Sequence, residues 1–137
     1  MRHMLLSVAS VAAAVPFVAQ AADLDAVAAA PANHKILLEN DAVRVLQVEV
    51  APGDVEAIHS HRWPSVMHIQ SPQPLLDIMY RSESGTLIEV GRQEVPLGRP
   101  PAMIWVPPEA PHAIRNLATG PFRAIRVELK QAPADQE

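Results

Sequence analysis

Beyond residue 33, hydrophobic positions recur in short runs with a period near two, the spacing of a β-strand rather than of a helix. Residues 35–39 and 43–50 are rich in Ile, Leu and Val and are parted by Asn40-Asp41, a favourable turn pair. Within 43–50 the apolar positions are Val43 and Val45, then Leu46, Val48 and Val50. That change of phase predicts a bulge, because one extra residue flips the inward face. Ala51-Pro52-Gly53-Asp54 reads as a turn into a strand over 55–61, and Arg62-Trp63-Pro64-Ser65 as a turn into 66–70. Strands are also expected at 77–81 and 86–90, hinged by Glu83-Ser84-Gly85, and at 103–106, 112–116 and 123–130. In the last of these Ile125, Val127 and Leu129 alternate with Arg126, Glu128 and Lys130, which predicts the apolar trio on the buried face. Many short strands, with most of the 14 prolines between them, predict an all-β sandwich or barrel.

The first 33 residues read differently. Arg2 precedes an apolar stretch over 5–18, and Ala19-Gln20-Ala21 supplies a small-x-small end. This is the pattern of a secretory signal peptide over 1–21, cleaved after Ala21, which predicts a periplasmic or secreted protein. Residues 22–33 form an Ala-rich leader, expected as a loose helix or disordered. The folded domain is expected over 34–131, with a disordered tail over 132–137.

Composition removes several functions. Eleven basic against 15 acidic residues give a net charge of −4, the wrong sign for neutralising phosphates, so no nucleic-acid partner is expected. The absence of cysteine excludes disulfides, thiolate zinc sites, iron–sulfur clusters and thiol nucleophiles. No nucleophile elbow, phosphate loop, zincin helix or dinucleotide fingerprint occurs. After cleavage of the leader no membrane association is expected.

The remaining chemistry lies in histidines. His59 and His61 are two apart on an expected strand, so both rings leave the same face. Two converging neutral imidazoles suit a first-row metal, and His112, after the rigid run Pro107-Pro108-Glu109-Ala110-Pro111, is available as a third. His34 is expected at the surface. Asn116 shares the parity of His112 and is expected to satisfy a turn, Glu109 to lie exposed in one, and Trp105 to pack in the core. Arg62 and Trp63 are read either as mouth residues for an anionic substrate or as a solvated arginine and a packing tryptophan. Of Met79 and Tyr80 only one can face the interior.

Gly53, five residues, then His59-Ser60-His61 resembles the first half of the first cupin motif. Pro107-x-Glu109-x-x-His112-x-x-x-Asn116 resembles the second, with Glu109 where glycine is usual. The likeness spans about residues 35–130 and is strongest to small single-domain cupins of the kind named β-alanine degradation proteins, through Val43-Arg44-Val45-Leu46, Pro52-Gly53, the run from His59 to Pro64, and Val127-Glu128-Leu129-Lys130. It implies a conical β-barrel of two sheets, a double-stranded β-helix or jelly roll, with one divalent transition metal (Fe, Zn, Mn or Ni) inside, on His59, His61 and His112. The family's motif glutamate falls here on Ser65 or Val66, the glycine closing the first motif is replaced near Pro72, and that opening the second is Gly98 or is replaced by Pro101. Without the carboxylate, three neutral imidazoles leave the ion its full charge and open positions. With the longer motif spacing His68 faces the cavity; with the shorter, favoured spacing Ser65, Met67 and Ile69 do. The implied function is metal-dependent chemistry, oxygenase-, isomerase- or lyase-like, on a small organic molecule. The alternative is a non-catalytic, metal-free module that binds a small ligand. The apolar edge Ile36-Leu37-Leu38 suits pairing into a homodimer.

Overall fold

The computed structural model describes residues 23–96 and 102–130. The expected signal peptide, the tail, Gly98 and Pro101 lie outside them. A short helix, α1 (Ala26–Ala29), precedes nine strands: β1 (His34–Glu39), β2 (Val43–Val50), β3 (His59–His61), β4 (Ser65–Ser71), β5 (Leu75–Glu83), β6 (Thr86–Val95), β7 (Met103–Val106), β8 (Glu109–Asn116) and β9 (Phe122–Leu129). They form two antiparallel sheets, ordered β1-β2-β9-β4-β7 and β3-β8-β5-β6. The all-β expectation holds, and most strands run one to five residues beyond the stretch their hydrophobic pattern marks; β3 is shorter, His59–His61, with Val55 only in an isolated bridge to Arg115.

Inner faces of both sheets supply the core: Leu46, Val48 and Val50 from β2, Leu75 from β5, and Phe122 and Ala124 from β9. Two inward faces depart from the sequence pattern. In β2 the buried positions are Arg44, Leu46, Val48 and Val50 in unbroken alternation, and pairing with β9 is regular throughout. The expected bulge is absent there, because the phase change was only an arginine occupying an inward position; the register shift lies in β1, between Ile36 and Leu38. In β9 the parity is the reverse of the expected one: Phe122, Ala124, Arg126 and Glu128 are buried, while Ile125, Val127 and Leu129 are half-buried on the outer face. Buried charge requires partners. Arg44 lies opposite Glu128 across the β2–β9 pair and donates its Nε–H to that carboxylate.

The Ala-rich segment is docked on the sheets. Asp25 caps α1 by accepting the Val27 N–H at 3.1 Å, and it holds Arg44 through two contacts of 2.9 Å. Ser60 donates its backbone N–H to Leu24 at 2.6 Å, tying the segment to β3. Ala26 and Ala30 are fully buried, since their methyl groups let the backbone approach closely. β1 therefore starts from beneath a covered end, which bears directly on His34. Trp105 is 61% exposed rather than core, because Ile104 and Val106 take the inward parity of β7.

Candidate metal centre and cavity

Between the sheets lies a cavity of about 310 Å³, apolar over most of its wall. His34, His59, His61 and His112 all line it and all are buried. β3 carries His59 and His61 on one inward face, and β8 lies beside it with His112 opposite His59. Ring centroids stand 5.1 Å apart for His59–His61, 4.7 Å for His59–His112 and 6.0 Å for His61–His112. His34 is a correction to the sequence reading: it is only 3% exposed, with its ring 4.5 Å from His59 and 5.3 Å from His61. Its position follows from α1, whose trailing Ala30 carbonyl lies 3.2 Å from His34 Nδ1 and turns the ring inward.

Hydrogen bonds fix the tautomers of three rings. His34 Nδ1 faces the Ala30 carbonyl, His59 Nδ1 the Ala57 carbonyl at 2.9 Å, and His61 Nδ1 the Glu128 carboxylate at 2.7 Å. Carbonyls and carboxylates only accept, so each Nδ1 carries the proton and each Nε2 presents a lone pair. Burial, reinforced for His34 by the neighbouring His59 and His61, pushes its pKa down to about 3. Burial likewise takes His59 down to about 4, and burial with the Arg126 charge takes His112 to about 4. His61 is depressed further, by burial first and then by Arg126 and the other rings. Four neutral imidazoles around one cavity, His34 from one sheet and the other three from its partner sheet, are therefore the resting state at neutral pH.

Two groups of side chains bring ligand atoms within 4.8 Å of one another: His34, His59 and His61, and then His61, Glu109 and His112. His61 belongs to both. The donor set fits a divalent transition ion, since neutral imidazole nitrogens with a carboxylate nearby are its usual ligands. A carboxylate at hand is Glu56. Its Oε2 accepts the Ile114 N–H at 3.3 Å and lies 3.8 Å from His59 Nε2, while Oε1, 3.9 Å from His34 Nε2, has no hydrogen-bond partner among the described residues. Burial raises Glu56 to about 8, so it holds a proton at neutral pH.

Ser65, at the place of the expected motif glutamate, is fully buried with its hydroxyl unpartnered among the described residues. Met67 and Ile69 line the cavity and His68 is exposed, so the shorter spacing holds. Glu109 is a wall residue rather than an exposed turn, 2.7 Å from Arg126 Nη1. Asn116 is buried and satisfies backbone groups: it donates to the Val50 and Gly120 carbonyls and accepts the Ala118 N–H. Arg62 and Trp63 are not part of the cavity wall; Trp63 has Arg44, Arg62 and Lys130 over its ring. Neither Met79 nor Tyr80 lines it.

Sequence reasoning missed His34, Glu56 and Glu128. His34 opens a strand whose next residues are exposed, and Glu56 lies in an irregular stretch without period, so neither carries a pattern signal. Glu128 had one, its alternation with Arg126, but the pattern was assigned to the wrong face.

Neither a family model nor a curated protein matches the chain. Solved structures do. A cupin domain from Bordetella pertussis Tohama I is similar at 18% identity and a TM-score of 0.53, over 72% of this chain and 92% of that one. An RmlC-like cupin family protein with a double-stranded β-helix fold from Methanocaldococcus jannaschii aligns at 11% identity over 70% and 77% of the two chains, with a TM-score of 0.47. A cupin 2 conserved barrel domain protein from Salinispora arenicola aligns at 18% over 72% and 75%, with a TM-score of 0.46. At such identities the likeness is one of fold: a cupin-type arrangement of two sheets.

Proposed function

We propose that this chain is a small exported cupin whose histidine basket holds one divalent transition metal ion (Fe, Zn, Mn or Ni) and brings a small organic molecule to it. His59 and His61 are the central ligands, with His112 on one side and His34 on the other. The observation that carries the proposal is His61, whose Nε2 is freed by the Glu128 contact and which belongs to both metal-competent groups. A bound ion would supply Lewis acidity, or a site for dioxygen, at the end of an apolar cavity. The chain's own residues do the rest. The ring–carbonyl and ring–carboxylate contacts hold the donors in place, the apolar walls exclude water, and Glu56, whose Oε1 is unpartnered among the described residues and 3.9 Å from His34 Nε2, is the acid–base group beside the rings.

Metal analysis of the purified protein, beside a His61→Ala variant, tests this. About one equivalent in the parent, and less than about a tenth in the variant, is the expected result; less than a tenth in both sinks the metal proposal and leaves the metal-free binding module. Export is part of the proposal, and a mature N-terminus at Ala22 by mass spectrometry is its check. The exposed apolar edge of β1, Ile36 to Leu38, is the surface proposed for pairing with a second copy.

A further inference from the structure

Among the described residues Arg126 is the one strongly basic side chain in the cavity wall, and it is only 3% exposed. Its Nη1 is occupied: it lies 2.7 Å from Glu109 Oε2 and 3.8 Å from the sulfur of Met67. The other edge of the guanidinium is different. Both Nε and Nη2 are buried and have no hydrogen-bond partner among the described residues. The nearest carboxylate oxygen to Nε, Glu128 Oε1, is 4.0 Å away and already accepts from His61. A buried, permanently charged group that leaves two parallel donors unmet carries a large desolvation cost unless something else meets them.

The chemistry of that something is constrained. The Nε/Nη2 edge of a guanidinium is a planar pair of donors that matches the two oxygens of a carboxylate. The wall beyond it, from Val48, Val50, Ile69 and Phe122, is apolar and suits an aliphatic body. Glu109 and Asp77 oppose an anion, but Glu109 is already engaged with Arg126 at 2.7 Å and Asp77 lies 3.5 Å from His112 Nδ1. We infer that the cavity takes a small aliphatic carboxylic acid as its anion, gripped through two hydrogen bonds by Arg126 Nε and Nη2, with its apolar body along β2 and β9 and towards the histidines. The inference deepens the proposed function and rests on the cavity being its substrate site, though not on the metal.

Butyrate and its uncharged isostere butyramide are titrated into the full chain, zinc-loaded and metal-free, while the Arg126 Nε–H resonance, assigned through its own side chain, is followed by NMR. The expected result is a saturable shift of that resonance with butyrate in both forms, and affinity for butyramide weaker by about tenfold or more. Arg126→Lys, which keeps the charge but loses the paired donors, is expected to lower butyrate affinity by a similar factor; should it not fold, the wild-type resonance decides alone. No saturable shift with butyrate in either form, or equal affinity for acid and amide, overturns the inference. Zinc retention is measured on the same samples, so a protein that grips butyrate but holds no zinc discards the metal reading and keeps this one.

Discussion

Glu128 accepts the Nδ1–H of His61 at 2.7 Å through one carboxylate oxygen while the other receives the Nε–H of Arg44, all three side chains being buried. Arg44 in turn is held by Asp25, the cap of α1, so a chain of charges runs from the N-terminal segment to the central ring of the histidine basket. Its role is orientation: a carboxylate on Nδ1 fixes the tautomer and makes the ring a stronger donor through Nε2.

Glu128→Gln tests that link. The amide keeps the shape but leaves the Arg44 charge half compensated, so a loss of about 3–5 kcal/mol in urea unfolding is expected. Zinc affinity, measured by chelator competition, is expected to fall by about 10- to 100-fold. Unchanged affinity in a folded variant would show that the carboxylate does not orient His61.

His34 and His68 form a contrasting pair. His34→Gln is expected to weaken zinc binding by more than about tenfold, because it removes one donor of a metal-competent group. His68→Gln, on the exposed face of β4, is expected to leave affinity unchanged and stability within about 0.5 kcal/mol. Equal effects at the two positions would remove His34 from the basket.

Acid should unfold the metal-free protein through its histidines. Free imidazole titrates at 6.5, but burial holds His34 at about 3 and His59 and His112 at about 4 when folded. Between those values only the unfolded chain takes up protons, so this stabilisation is complete above pH 6.5 and is lost as the pH falls toward 4. Glu56 acts in the opposite sense. Raised from 4.5 to about 8, it stabilises fully below 4.5 and loses that contribution as the pH rises to 8. The histidines outnumber it, so calorimetry in chelator should find the highest Tm near pH 6.5, with a steep acid side and a shallow alkaline one. A Tm that does not change between pH 4.5 and 6.5 contradicts the burial of neutral rings.

Asn116 and Ser65 are both fully buried and polar, yet they should respond differently. Asn116→Ala strands two carbonyls and one N–H and is expected to cost about 2–4 kcal/mol, read as a fall in Tm. Ser65→Ala removes a hydroxyl without a partner among the described residues and is expected to be neutral or slightly stabilising.

A fifth expectation concerns assembly. Leu37→Lys places a charge on the exposed β1 edge and is expected to shift the protein from dimer to monomer in light scattering. A wild-type monomer at micromolar concentration removes the pairing proposal.

Local pattern determined much of this protein. Period-two hydrophobicity broken by proline and Asx turns is enough to place the strands and the all-β class, because strand propensity and turn chemistry act over a few residues. The same rule places His59 and His61 on one face, and it sets His68 outward once Ser65 is inward. Tertiary structure decided what that rule cannot: which face of β2 and β9 is inside. Arg44, Arg126 and Glu128 look like surface residues in the sequence; Arg44 and Glu128, 84 residues apart, are buried because each compensates the other's charge, and Arg126 is buried beside Glu109 of another strand. His34 and Glu56 reach the cavity for a similar reason. A docked helix and an irregular segment carry them there, and the long-range contacts that hold both leave no periodic trace along the chain.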